Sequence, residues 1–127
     1  MQYLEANDVR SIAFEIVNSL GWGHIDLKRV RFLRSNGSRS TNVLARIHGL
    51  PKILQESLSL ESHYVVEVIG EKYDLLSLED KEKVIIHELL HIPKGFLGGL
   101  LPHKGWITSK KVEKVYKKFD QKRKEAK

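Results

Sequence analysis

One pentapeptide limits what this chain can fold into more than any other stretch: His87-Glu88-Leu89-Leu90-His91, between the apolar run Val84-Ile85-Ile86 and Ile92-Pro93. On an α-helix, residues four apart lie one above the other, so both imidazoles can reach a single metal ion. Glu88, beside the first histidine, can lean over the open coordination position and accept a proton from a water on that ion. That is the arrangement of a zinc hydrolase. The rival reading is a buried amphipathic helix whose two histidines find only hydrogen bonds, and the flanking sequence has to decide between them.

Upstream, Ser77-Leu78-Glu79-Asp80 has the form of a helix start, with Ser77 able to cap the backbone N–H of Asp80 and acidic residues in the first turn. The predicted helix runs from about 78 to 91. Val84, Ile85, Ile86, Leu89 and Leu90 cover most of its circumference, so it should be buried, as the carrier of an interior metal site would be. Pro93 then forces a turn directly after His91. The segment 94–105 holds Gly95, Gly98, Gly99 and Gly105, and this backbone freedom lets His103 return to the same ion. A third histidine six residues beyond the second is excluded, because that position is Leu97. Glu113 is the alternative third ligand; its neighbours Lys110, Lys111 and Lys114 make it more simply a partner for lysines on a solvated helix.

The run HELLHIP, followed by GFLGGL and Leu101-Pro102-His103, resembles the putative phage metallopeptidase family, a group of small metal-dependent peptidase-like proteins. The likeness is good over residues 64 to 105 and general in the flanks. It implies His87, His91 and His103 as zinc ligands, Glu88 as the catalytic carboxylate, and no particular substrate.

With 127 residues the chain is long enough for one core and too short for two, which predicts a single domain over residues 1–127. It has no cysteine, so a metal here must be held by nitrogen and oxygen. No signal-like or membrane-length apolar segment is evident, which predicts a soluble, cytoplasmic protein with no membrane partner. The net charge of +6 is unevenly placed: from Lys104 onward there are 10 basic and 3 acidic residues. The basic excess is therefore C-terminal.

Residues 5 to 20 read as a helix stopped by Gly21-Trp22-Gly23, with Ile12, Ile16 and Leu20 and Val9, Ala13 and Val17 recurring at helical spacing. Val30 to Arg34 and Asn42 to Ile47 read as strands, and Asn36-Gly37 within Ser35 to Ser38 suggests that they pair as a hairpin. Arg29, Arg31, Arg34 and Arg39 would then form a solvated basic edge. The stretch 52–60 fits either a helix or irregular structure. Tyr64 to Ile69, rich in β-branched and aromatic residues, is the clearest strand and the expected border of an active-site cleft, to which a peptide could add through its backbone. Thr108 or Ser109 caps a last helix with Val112, Val115, Tyr116 and Phe119 inward; from about 120 to 127 it should fray for want of anything to bury.

These readings combine into an α+β fold, zincin-like, with a small, mostly antiparallel sheet and three main helices, one carrying the HExxH motif. The expected activity is zinc-dependent peptide hydrolysis with one Zn2+ per chain, Glu88 as general base and a peptide or protein as substrate. Tyr64, Tyr73, Tyr116 and His63 are available to stabilise the oxyanion, and Asp74, Glu79 and Asp80 to orient a ligand imidazole. The alternative is a basic nucleic-acid-associated protein, or one that binds an acidic partner through the lysine-rich C-terminal helix, in which the metal is only structural.

Overall fold

The structure is a computed structural model that describes residues 1–37 and 42–126. In chain order its elements are β1 (Gln2–Glu5), α1 (Asn7–Leu20), a 3-10 turn at Leu27–Arg29, β2 (Val30–Asn36), β3 (Ala45–Gly49), α2 (Lys52–Leu58), β4 (Tyr64–Ile69), α3 (Gly70–Tyr73), α4 (Leu78–Leu90) and α5 (Ser109–Glu125). The four strands form one sheet in the order β1-β2-β4-β3. Helices α1, α4 and α5 are the three long ones expected; α2 and α3 bring the count among the described residues to five.

The core forms where the inward side chains of two strands meet three helices. Val30 and Phe32 of β2 and Tyr64, Val66 and Val68 of β4 share one sheet face. Against them pack Val9, Ala13 and Ile16 of α1, Ile85, Ile86 and Leu89 of α4, and Val112 and Phe119 of α5. Both expected helix boundaries have local causes. Gly21 is left-handed at φ +65° and closes α1 by donating to the Val17 carbonyl. The Ser77 Oγ accepts from the Asp80 N–H at 3.2 Å and opens α4.

The sheet departs from expectation. β2 and β3 do not form a hairpin: β4 lies between them, parallel to β2 and antiparallel to β3, so the sheet is mixed. The reason is burial. β4 hides Tyr64, Val66 and Val68 on one face and Glu67 and Ile69 on the other, and a strand buried on both faces belongs in the interior of a sheet. The Asn36-Gly37 signal sits at the end of β2 instead, with Gly37 at φ +88°; Ser38 and Arg39 lie outside the described residues. β3 is also shifted to Ala45–Gly49. β1 was not anticipated, because its four residues are all exposed and show no alternation.

The arginines do not make a solvated edge. Arg34 forks to Asp8 at 2.7 Å and Asp74 at 2.9 Å, and Arg29 pairs with Asp26 at 3.0 Å; only Arg31 of the described three is exposed without such a pair. The stretch expected to fray, from Asp120, is helical through Glu125. Arg123 holds it, reaching the buried Glu82 of α4 at 2.5 Å as well as Glu15 of α1 and Asp120. Among the described residues no helix is long and apolar enough to cross a membrane.

Candidate metal centre

α4 delivers two histidines to one spot. His87 lies in its last turn and His91 is its C-cap residue, still in helical geometry at φ −69° and ψ −17°, so the i, i+4 stacking expected from the sequence is kept although the helix itself ends at Leu90. His103 arrives from the loop that follows. Its Nε2 lies 3.0 Å from Nε2 of His87 and 3.2 Å from Nε2 of His91. All three donor atoms fall within 4.8 Å of one another, a grouping that could hold a metal ion. Tetrahedral zinc with nitrogen ligands would separate them by about 3.3 Å, so the donor set fits such an ion with little adjustment.

The chemistry of each ring supports that fit. The Leu101 carbonyl lies 2.5 Å from Nδ1 of His91, and because a carbonyl can only accept, Nδ1 carries the proton and Nε2 keeps its lone pair. Burial, then the charges of His91 and His103, push the His87 pKa down to about 4. Burial also lowers that of His91, against an opposing contribution from the Leu101 carbonyl. Both rings are therefore neutral at pH 7, the state in which an imidazole binds a metal. Glu88 is 7% exposed and lines the same cleft; burial raises its carboxyl to about 7.

Three contacts make the loop return. The Leu101 N–H donates to the His91 carbonyl at 2.8 Å, so Leu101 grips His91 by backbone and ring together. The buried Tyr64 hydroxyl accepts from the Gly98 N–H at 2.9 Å and donates to the Gly99 carbonyl at 2.8 Å. The Gln55 amide donates to the carbonyls of Leu50 and Leu97, tying loop to α2. Gly98 has φ +105°, and a Cβ there would overlap the Leu50 carbonyl oxygen, while one at Gly49 would overlap that of Gly98. Gly98→Ala should therefore cost about 1–3 kcal/mol of stability and displace His103, weakening metal affinity in a chelator competition; unchanged affinity would mean that this glycine does not place the ligand.

The cleft above the cluster has a volume of about 750 Å³. α4 is its floor, through Lys83, Val84, His87 and Glu88, and Ser109, Val112 and Glu113 of α5 form one wall. The strand on the opposite wall is β3, where β4 was expected; β4 is interior. At the two ends of β3, the Leu44 carbonyl accepts from the Ile69 N–H and the Leu50 N–H donates to the His63 carbonyl. The alternation of an antiparallel ladder then leaves the backbone groups of Ala45 and Ile47 facing the outer edge, which pairs with no strand among the described residues.

Several sequence expectations lie elsewhere. Glu113 lines the cleft but pairs with Lys83 at 2.8 Å and is not in the donor cluster. None of Tyr64, Tyr73, Tyr116 and His63 lines the cleft. Tyr64 locks the loop, Tyr73 is buried, Tyr116 sits under the Lys83 ammonium, and His63 bonds the Glu61 carbonyl. Asp74 serves Arg34 and Glu79 serves Lys83, leaving Asp80 as the one of the three expected orienting carboxylates that lines the cleft. The group that orients His91 is the Leu101 carbonyl, a backbone atom that no side-chain motif announces. Arg46, which lines the cleft from β3 and pairs with the buried Glu67 at 3.4 Å, was likewise not singled out for the site.

No curated protein and no solved structure matches the chain. The family described as putative phage metallopeptidase matches over residues 1–122, a family whose name suggests a metal-dependent enzyme acting on peptides. Because that match takes in the sheet, the cleft and most of α5 as well as the histidine segment, the chain belongs to the putative phage metallopeptidase family.

Proposed function

We propose that this chain is a zincin-like peptidase that hydrolyses peptide bonds with one zinc ion held by His87, His91 and His103 and with Glu88 as general base. The observation that carries the reading is the convergence of three imidazole Nε2 atoms at the floor of a cleft that also contains a buried carboxylate. A zinc ion bound by three neutral imidazoles supplies a Lewis acid for the scissile carbonyl and acidifies the attacking water.

The protein's own residues do the rest. Glu88, with its carboxyl raised toward neutrality, takes a proton from the attacking water and passes it to the leaving amine. An extended substrate pairs with the open edge of β3 at Ala45 and Ile47, which lays its backbone along the cleft over α4. Leu101 fixes the His91 ring and Tyr64 holds the loop that carries His103, which keeps both rings in register with His87.

Elemental analysis of purified wild type and variants tests this reading, alongside hydrolysis of quenched-fluorescent peptides. The expected result is about one zinc per chain, lost in His87→Ala and in His103→Ala together with activity, and kept in Glu113→Ala. No bound ion in protein purified with zinc present, or hydrolysis that survives His103→Ala in the presence of chelator, would sink the proposal.

A further inference from the structure

The face of α5 turned away from the core carries charge that peptide hydrolysis does not use. Val112, Val115, Phe119 and Arg123 point inward, and the opposite arc holds Lys110, Lys111, Lys114, Lys117, Lys118 and Lys122, all exposed. The ion pairs of α5 are made through Glu113, Asp120, Arg123 and Lys124, so those six lysines have no ion-pair partner among the described residues. From Lys110 to Lys122 the row extends about 18 Å along the helix. Like charges spread over such a length repel one another and attract a linear polyanion.

Beside this row lies a second groove, of about 710 Å³, which shares no lining residue with the cleft. It lies against Leu89 and Leu90, on the side of α4 away from His87 and His91. Trp22, His24 and Trp106 bring three flat rings to it, Leu90 and Ile92 contribute apolar surface, and Lys94 and Lys111 supply positive charge. No carboxylate lines it among the described residues. Trp106 is 56% exposed, a large aromatic surface left open to solvent. Burial and the charge of Lys94 lower the pKa of His24, which keeps that ring neutral at pH 7. Lys111 belongs to both features, so groove and lysine row form one continuous surface.

We propose that this surface binds single-stranded nucleic acid, with bases stacked on Trp106 and Trp22 and phosphates following the lysines of α5. The two halves of the surface call for the two halves of such a ligand. An aromatic groove takes a flat ring, and a base presents its face only when it is unpaired. The lysine row takes regularly spaced negative charge. An acidic polypeptide would satisfy the lysines and leave the indoles without a flat partner; a duplex would satisfy the lysines and keep its bases stacked on each other.

The test uses the full chain and fluorescein-labelled oligothymidylate and oligouridylate of about 15 nucleotides, a length that spans a typical single-strand site. Anisotropy and tryptophan emission are read at several salt concentrations, with duplex DNA and polyglutamate as competitors. At least one single strand should bind, quench tryptophan emission and weaken as salt rises; the tighter of the two shows which polymer the surface prefers. Trp106→Ala should reduce affinity about tenfold, and Trp106→Tyr, which keeps a stacking ring, should restore most of it. Lys114→Glu with Lys118→Glu should also weaken binding and flatten the salt dependence; these positions lie outside both cavities, so the pair reports on charge without disturbing the groove. The proposal is overturned if neither strand binds at low salt, if polyglutamate or duplex competes as well as an unlabelled single strand, or if Trp106→Ala binds like the wild type.

Discussion

Glu88→Gln should lower the rate of peptide hydrolysis by a factor of about 10²–10⁴, the usual contribution of a positioned general base, with the metal content unchanged. The substitution keeps the shape of the side chain and removes its capacity to take a proton. Folding should tolerate it, because Glu88 is 7% exposed and its carboxyl is already pushed toward the neutral form by burial; a neutral amide is no harder to bury. The proposed ligand set is untouched, since all three donor atoms are imidazole nitrogens. The measurement is kcat/KM on a cleaved peptide for two proteins with the same metal stoichiometry. Residual activity within a few-fold of wild type would remove Glu88 from the chemistry even if the three histidines proved to be ligands, and would favour a structural role for the metal.

The largest stability effect is expected at a position far from that chemistry. Arg123→Met removes the guanidinium that reaches both oxygens of Glu82, whose side chain is 3% exposed, and leaves a carboxylate buried without its partner. Breaking a buried pair from one side typically costs about 3–5 kcal/mol. In a chain of this size that should lower the melting temperature by roughly 10 °C or more. Restoring neutrality with Glu82→Leu in the same chain should recover most of the loss, because the desolvated charge disappears with it. Denaturant unfolding of the wild type, Arg123→Met and the double variant measures both steps, and a loss below about 1 kcal/mol in the single variant would show that water reaches Glu82. The pair matters for the site because it clamps α5 to α4 five residues before His87, and α5 supplies one wall of the cleft.

Much of the candidate metal site was legible because its logic is local. Helical spacing aligns His87 with His91, Ser77 opens α4, and a glycine-rich segment allows a residue a dozen positions later to return to His91. His103 could be nominated on those grounds, and its Nε2 does meet the other two. The same local rules placed the end of α1 at Gly21 and the strand at Tyr64–Ile69.

The remainder depended on competition between distant segments, which spacing does not encode. The turn signal at Asn36-Gly37 favoured pairing β2 with β3, but inserting β4 between them buries both of its faces, and the larger burial prevails. That exchange makes β3, rather than β4, the strand along the cleft. Tyr64 could be read as an aromatic strand residue, yet its hydroxyl meets Gly98 and Gly99 only after more than thirty intervening residues have folded. A frayed end was expected after Phe119 because the residues beyond it have little apolar surface; Arg123 instead finds Glu82, forty-one positions earlier in the chain. By itself, then, the sequence determined which donor atoms exist and which neighbours on one helix share a face, since backbone geometry over a few residues has few solutions. Only the tertiary structure decided which strand borders the cleft, what holds the third histidine and where the second groove opens, because those follow from burial shared among segments that the sequence keeps far apart.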